Sequence, residues 1–149
     1  ARESSKRLAK LGGTENKLRS IQGADQPKIE MVIVDTSIWV THLRQGSRQL
    51  EKLLYDAEVM CHPFIVGELA CGNLKNRTEI ISLVQSLPMA PTIEFNEFLF
   101  FIDRNHLMGK GVGFVDVHLL ASAQLTGMPL WTADKRLKSA ANQLELTFK

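Results

Sequence analysis

Residues 31–37 of this 149-residue chain read Met-Val-Ile-Val-Asp-Thr-Ser, an apolar run followed at once by an acid and two hydroxyls. A short continuous apolar run of this kind is typical of a buried strand in a parallel sheet. The residues from 36 to about 43 then have the pattern of a helix. The stretch therefore predicts a strand–helix unit with Asp35 at its turn.

The rest of the chain repeats this alternation of short apolar runs and helical patterns. Further strands are predicted at 58–62, 87–91, 130–132 and 144–148. Helices are predicted at about 48–56, from Pro63 onward, at 77–86, through Phe95 to Ile102, at 115–126 and at 135–142. Repeated strand–helix units imply a parallel sheet with helices on both faces. The predicted fold class is α/β, a three-layer α/β/α domain with a central parallel sheet of four or five strands.

Composition limits what kind of protein this can be. The chain is 44% hydrophobic and 23% charged, which is normal for an ordered globular domain. Its two cysteines, Cys61 and Cys71, form neither a disulfide framework nor a metal-ligand set. No apolar run approaches the roughly 18 residues of a membrane span. We therefore predict a cytoplasmic protein that has no membrane as a partner.

Charge and hydropathy divide the chain at Met31. Residues 1–30 carry seven Lys or Arg and four Asp or Glu, whereas residues 31–149 carry eleven and twelve. The opening segment is a basic arm with one short helical pattern, in which Leu8 and Leu11 share a face. An extended polar tail follows, too polar to build a core of its own. Two regions are predicted, the arm at 1–30 and a domain at 31–149.

Four acids fall near the carboxyl ends of the predicted strands, where open parallel sheets bind ligands. Asp35 follows the first strand and Asp134 lies two residues beyond Thr132, while Asp116 opens a helix and Glu68 lies within one. Two unpaired carboxylates about 4 Å apart repel by about 4 kcal/mol at an effective dielectric constant of about 20. Several together therefore call for a divalent cation, and an all-oxygen ligand set favours Mg²⁺ or Mn²⁺.

Each acid taken alone has an ordinary structural explanation. Asp35 can cap the helix that follows it, and Asp116 and Asp134 can be first-turn acids favoured by the helix dipole. Glu68 can pair with a nearby base. Three of the four lie at strand ends or loop–helix junctions, and this placement favours a shared site. His118, two residues beyond Asp116, is interpreted as a structural histidine.

Two rival enzyme classes with the same kind of sheet lack a required residue. A phosphatase with an aspartyl nucleophile needs a second acid two residues after Asp35, where this chain has Ser37. A phospho-receiver domain needs an aspartate at the end of its third strand, where this chain has Pro91 and Thr92. Neither class fits the sequence.

Four ordered motifs carry a resemblance to a known family. They are Val34-Asp35-Thr36-Ser37, Gly67-Glu68-Leu69, Phe114-Val115-Asp116-Val117-His118-Leu119-Leu120-Ala121 and Trp131-Thr132-Ala133-Asp134-Lys135-Arg136-Leu137. In order and spacing they resemble the acidic motifs of PIN-domain nucleases, most closely the VapC-type toxins of bacterial toxin–antitoxin pairs. The resemblance covers residues 31–149. It implies a Mg²⁺-dependent endoribonuclease toxin of a type II toxin–antitoxin system.

The resemblance also implies roles for individual residues. The catalytic acids would be Asp35, Glu68, Asp116 and Asp134. Asp35 and Asp116 would bind Mg²⁺ or Mn²⁺, and the other two would complete the cluster for one or two ions. From their chemistry, Thr36, Ser37 and Thr132 can donate hydrogen bonds to these carboxylates, or simply serve as caps and turns. The basic side chains of Arg104, Lys110, Lys135 and Arg136 can contact RNA phosphates, or simply be solvated surface charges. A homodimer is implied as well.

The arm resembles a different protein. Residues 7–14, Arg-Leu-Ala-Lys-Leu-Gly-Gly-Thr, are similar to the carboxyl-terminal tail of VapB-type antitoxins. That tail lays a short helix in a groove of the toxin, and in several members a basic side chain reaches the acidic site. The resemblance implies an inhibitory arm whose side chains are Leu8, Leu11, Lys17, Arg19 and Lys28. The alternative function is a non-catalytic PIN scaffold that acts as a toxin–antitoxin interaction module.

Overall fold

The computed structural model describes residues 30–149 and contains a parallel sheet at their centre. Strand β1 (Val32–Val34) lies between β2 (Val59–Met60) and β3 (Leu130–Trp131). In the register Val32 is opposite Val59 and Ile33 is opposite Leu130. All three residues of β1 are buried, which requires cover on both faces of the sheet. The predicted α/β fold class is confirmed.

The sheet is narrower than the four or five strands predicted, because the described residues contain three. The segments at 87–91 and 144–148 each add only a single parallel bridge, Cys61 with Met89 and Leu130 with Thr147. Pro88 and Pro91 lack the N–H donors that a longer ladder beside β2 would need. Near the other edge, Glu145 has a φ of 59°, which interrupts the extended backbone just before the bridge.

Seven helices surround the sheet in the described part of the chain. They are α1 (Thr36–Gln45), α2 (Arg48–Tyr55), α3 (Pro63–Cys71), α4 (Arg77–Ser86), α5 (Phe95–Asn105), α6 (Phe114–Thr126) and α7 (Lys135–Gln143). Their ends follow local chemistry. Ser47 accepts a hydrogen bond from the Leu50 N–H at the start of α2, and Pro63 takes the first position of α3. Gly127, with a φ of 70°, ends α6.

Helix α6 is the most deeply buried element among these. Its residues from Val117 to Leu125 are all buried, and it packs against both α5 and β3. The first turn of α6 is thereby fixed close to the sheet. Since Asp116 lies in that turn, the packing of α6 decides where this acid can point.

No helix between residues 30 and 149 is long and apolar enough to cross a membrane. The predicted inhibitory side chains of the arm lie outside the described residues. They are Leu8, Leu11, Lys17, Arg19 and Lys28.

Candidate acidic site at the carboxyl edge of the sheet

Asp35 is held at the end of β1 by two hydroxyl groups. Its N–H donates to the carbonyl of Trp131 on the neighbouring strand, at 2.9 Å. Its carboxylate oxygen Oδ2 accepts from Ser37 Oγ and from Thr132 Oγ1, each at 2.8 Å, and the residue is only 6% exposed. Asp35 occupies the N-cap position of α1, yet its side chain caps no N–H. The capping explanation is therefore wrong for this acid.

Glu68 approaches the same edge from α3, the helix that follows β2. Its Oε1 accepts a hydrogen bond from Thr36 Oγ1 at 2.9 Å. Thr36 is the first residue of α1 and directly follows Asp35. The bond therefore links the acid on α3 to the turn that carries Asp35.

Asp116 and Asp134 both accept hydrogen bonds from backbone N–H groups at the start of a helix. Asp116 Oδ2 accepts from the N–H of Gly113 at 3.0 Å. Asp134 Oδ1 accepts from the N–H groups of Arg136 and Leu137, as an N-cap does. For these two acids the structural explanation holds, and each keeps a second carboxylate oxygen that none of these bonds uses.

Thr132 connects the acids of β1 and α7. Its hydroxyl donates to Asp35 and accepts from the N–H of Asp134 at 3.0 Å. The Ser37 hydroxyl similarly donates to Asp35 and accepts from the N–H of Ala133 at 3.1 Å. The three hydroxyls predicted to support the acids thus bind them, although Thr36 contacts Glu68 while the other two contact Asp35.

The four carboxylates interact electrostatically. Partial burial of its carboxylate raises the pKa of Glu68, and the charges of Asp35 and Asp116 raise it further against the opposing bond from Thr36. Burial likewise raises the pKa of Asp116, with added repulsion from Asp35 and Asp134 and an opposing bond from the Gly113 N–H. The four carboxylates therefore form one electrostatic group.

No cation within residues 30–149 offsets this repulsion, since none of the four acids forms an ion pair there. As the side chains stand, no three Asp, Glu, His or Cys groups of this region are close enough together to hold one metal ion. The chemistry of the donor set nevertheless fits Mg²⁺ or Mn²⁺, because every available ligand atom is a carboxylate or hydroxyl oxygen.

The four predicted RNA-binding cations are exposed and come from three segments. Arg104 is on α5, Lys110 in the loop after it, and Lys135 and Arg136 are in the first turn of α7. The side chain of Arg136 lies across the backbone of Gly111. A Cβ at Gly111 would lie 2.5 Å from Arg136 Cδ and 3.0 Å from its Nη1.

An aromatic cluster that includes rings from the helices of Glu68 and Asp116 was not predicted as part of a site. Phe114, the first residue of α6, packs against Phe64, Phe98 and His118 with ring centroids 4.6 to 6.0 Å apart. Its rings come from three helices that are distant in sequence. The available signal was that Phe64 lies one turn before Glu68 and that Phe114 lies two residues before Asp116.

Comparison with known proteins identifies the family. The PIN domain model matches residues 32–143, most of the described chain. The chain belongs to the PIN domain family. It is 44% identical over 111 residues to "Ribonuclease VapC32" of Mycobacterium tuberculosis, in the strains CDC 1551 / Oshkosh and ATCC 25618 / H37Rv, covering 74% of this chain and 90% of each relative.

These matches confirm the resemblance of this PIN domain to VapC-type proteins. The match to the family model runs from β1 into α7 and so includes all four acids. The match begins at residue 32, and the VapB-like resemblance of residues 1–30 stays a prediction.

Proposed function

We propose that this PIN domain is a Mg²⁺-dependent endoribonuclease toxin of a type II toxin–antitoxin system, which hydrolyses RNA phosphodiester bonds at Asp35, Glu68, Asp116 and Asp134. The observation that carries the proposal is the group of four interacting carboxylates at one sheet edge, with no cationic partner within residues 30–149. Unpaired acids of this kind are costly unless a cation meets them. The name of the VapC32 relatives, a ribonuclease, supports the same activity.

Asp35 and Asp116 are the proposed ligands of the metal, and Glu68 and Asp134 would complete a site for one or two Mg²⁺ or Mn²⁺ ions. When bound, such an ion lowers the pKa of an attacking water and offsets the charge that builds on the scissile phosphate. Ser37 and Thr132 fix the Asp35 carboxylate by donating to Oδ2. Their part is to hold that carboxylate in one orientation.

Glu68 is the proposed proton acceptor. Its carboxylate lies on an exposed residue, and its pKa is raised by partial burial and by the neighbouring acids. A raised pKa makes a carboxylate a better base near neutral pH. Thr36 would hold Oε1 through its hydroxyl, which leaves Oε2 to take the proton from the attacking water.

RNA would approach over the rim formed by the exposed cations at 104, 110, 135 and 136, which can contact phosphates. We propose further that residues 1–30 act as a fused VapB-like antitoxin segment. In it Leu8 and Leu11 would dock on the domain, and Lys17, Arg19 or Lys28 would enter the acidic site. A homodimer in the cytoplasm completes the proposal.

A non-catalytic PIN scaffold is the second candidate function. Two observations favour it: Asp116 and Asp134 each serve a helix start, and no three acids of the described region stand close enough to share an ion. In that case the chain would act only as a toxin–antitoxin interaction module. Measured RNA cleavage separates the two functions.

The test compares residues 31–149 with the full chain on total bacterial RNA, each with Mg²⁺ and with EDTA. The described residues contain a continuous hydrophobic core that includes β1, α6 and α7, so this part is expected to fold alone. Cleavage by residues 31–149 with Mg²⁺ only, and slower cleavage by the full chain, supports the enzyme and the inhibitory arm. If neither cleaves RNA and neither binds Mg²⁺, the scaffold is the correct function.

A further inference from the structure

Two phenylalanine rings from the helices that carry Glu68 and Asp116 contact each other, and we name them the Phe64–Phe114 shelf. The rings stack with centroids 6.0 Å apart and planes inclined by 20°. Phe64 lies one helical turn before Glu68 on α3, and Phe114 lies two residues before Asp116 on α6. Residues four apart on a helix share a face, so the shelf adjoins Glu68 through Phe64. Phe114 and Asp116, two apart, lie on different faces of α6.

The outer ring of the shelf is exposed, but it is firmly supported from within. Phe114 is 54% exposed. Beneath it the His118 ring makes an edge contact at 4.6 Å, and Phe98 packs at 4.9 Å. Both supporting rings are buried. A large aromatic ring that keeps this exposure while its position is fixed is suited to binding a flat ligand.

We propose that the Phe64–Phe114 shelf stacks on a nucleobase of the RNA, next to the phosphodiester bond that the acids cleave. This inference rests on the proposed ribonuclease function. The Phe rings carry no charge, so they suit a base and not a phosphate, and stacking on aromatic side chains is a general way of binding unpaired bases. Four helical residues separate Phe64 from Glu68 by about 6 Å along α3, a distance that one nucleotide can bridge.

A second copy of the chain is the competing occupant. Apolar side chains are also exposed on α5, where Phe95 is 65% and Leu99 48% exposed. Phe95 stacks on Phe98 and so belongs to the same aromatic cluster, but neither it nor Leu99 is on a helix that carries one of the four proposed catalytic acids. The face of α5 is thus the better surface for another protein chain, and Phe95 supplies a matched control for Phe114.

The first experiment uses residues 31–149 and a short single-stranded RNA that contains one mapped cleavage bond. Phe114→Leu keeps an apolar side chain but removes the aromatic face, and Phe114→Trp restores one. We expect kcat/KM to fall roughly 5- to 150-fold in Phe114→Leu, the loss that corresponds to one base stacked on an aromatic ring. Phe114→Trp is expected to cleave like the parent, and so is Phe95→Leu.

The second experiment removes the base instead of the ring. Abasic residues are placed one at a time on either side of the cleaved bond. At one abasic position, the kcat/KM of the parent protein is expected to fall by the same factor as it does in Phe114→Leu on the intact RNA. The kcat/KM of Phe114→Leu is expected to be the same on that abasic RNA as on the intact RNA. Such non-additivity is the signature of two groups in direct contact. If the abasic residues and Phe114→Leu lower kcat/KM independently at every position, the proposal that the shelf stacks on a base is wrong.

Two further outcomes are distinguishable. If Phe114→Leu halves the mass in sedimentation and lowers activity equally on all RNAs, the shelf is an interface between copies and the proposal is wrong. If the parent cleaves no RNA, the proposed function fails, and fluorescence anisotropy with the same labelled RNA decides on the shelf. Weaker binding by Phe114→Leu then supports base stacking, and unchanged or absent binding overturns it.

Discussion

The Asp116 side chain affects the stability of the fold in two opposite ways. Its Oδ2 accepts from the Gly113 N–H and so stabilises the start of α6, yet partial burial and the charges of Asp35 and Asp134 raise its pKa. Asparagine keeps an oxygen acceptor and removes the charge. We expect Asp116→Asn to reduce RNA cleavage by about 100-fold or more, the order of loss for a single electrostatic group in an active site. Its unfolding free energy at pH 7 should be equal to or above that of the parent.

The pH dependence gives this prediction its sign. A carboxyl group whose folded pKa is raised destabilises the fold where it is charged and ceases to do so once it is protonated. Any stability gain in Asp116→Asn is therefore present at pH 7, shrinks as the pH falls through the raised pKa, and vanishes below the ordinary value of 3.8. Urea unfolding at pH 7 and near pH 3.5 measures it. Full cleavage by Asp116→Asn would remove this acid from the proposed site.

His62 makes stability depend on pH in the opposite direction. The side chain is fully buried, and burial, with a smaller contribution from the charge of His118, lowers its pKa from 6.5 to about 4. Below pH 6.5 His62 becomes protonated in the unfolded chain, whereas in the folded chain it stays neutral until about pH 4. The full stabilisation is therefore present above pH 6.5, and about 3 kcal/mol of unfolding free energy is lost between pH 6.5 and 4.

Asparagine at position 62 tests this directly. His62 Nδ1 accepts from the Phe64 N–H at the start of α3, and an asparagine oxygen can replace that acceptor. We expect the unfolding free energy of His62→Asn to fall by about 3 kcal/mol less than that of the parent between pH 7 and pH 4. His106→Asn is the control, because His106 is exposed and asparagine tolerates its φ of 52°. Equal acid sensitivity in all three proteins would contradict the assignment to His62.

Helix boundaries could be predicted at the scale of single elements because local chemistry sets them. The predicted helix at 77–86 agrees with α4, and Pro63 is the first residue of α3, as proline placement indicates. Strand extent could not be predicted in the same way. The alternating pattern of 144–148 is present, but whether it pairs over one residue or four depends on the backbone of Glu145 and on the neighbouring strand.

The candidate site was predictable in part. That acids gather at one edge follows from the rule that parallel strands end on the same side. Which hydroxyl binds which acid could not be predicted, since the Thr36–Glu68 bond joins residues that are 32 positions apart. The Phe64–Phe114 shelf was missed for the same reason, because the two rings meet only after α3 and α6 have packed.

The glycine loop between α5 and α6 offers a matched pair of substitutions. Gly109 and Gly111 both have positive φ, 71° and 77°, so alanine at either position costs about 1–2 kcal/mol in backbone strain. At Gly109 a Cβ meets nothing within 4 Å, whereas at Gly111 it meets Arg136. We expect both variants to be destabilised to a similar extent, while only Gly111→Ala weakens RNA binding, because Arg136 must leave its place.

Salt dependence of the RNA dissociation constant measures this effect. A lost phosphate contact weakens RNA binding. It also reduces the slope of the logarithm of the binding constant against the logarithm of the salt concentration by about 1. Arg136→Gln should lose as much RNA affinity as Gly111→Ala does. The double variant should lose no more affinity than either single variant. Lys138→Gln is the control, because Lys138 is an exposed cation of the same helix that is not among the proposed RNA-binding residues. Equal binding by Gly109→Ala and Gly111→Ala would mean that the position of Arg136 does not matter.

At the scale of the whole molecule, a basic arm is joined to a domain with an acidic site. The arm carries seven Lys or Arg against four Asp or Glu. Because the arm is covalently joined to the domain, it acts at an effective concentration, on the order of millimolar for a short linker, that does not depend on protein concentration. We therefore expect the full chain to cleave RNA more slowly than residues 31–149, and by the same factor at every protein concentration.

A separate peptide of residues 1–30, added to residues 31–149, should inhibit only in proportion to its concentration. The same peptide with Leu8→Gln and Leu11→Gln keeps all seven Lys or Arg and all four Asp or Glu but loses its apolar face. Weaker inhibition by it would show that docking, and not charge alone, carries the effect. Equal cleavage by the full chain and residues 31–149 would contradict an inhibitory arm. Inhibition of the full chain that grows with its own concentration would mean that the arm of one copy acts on another, because an intramolecular contact does not depend on how many molecules are present.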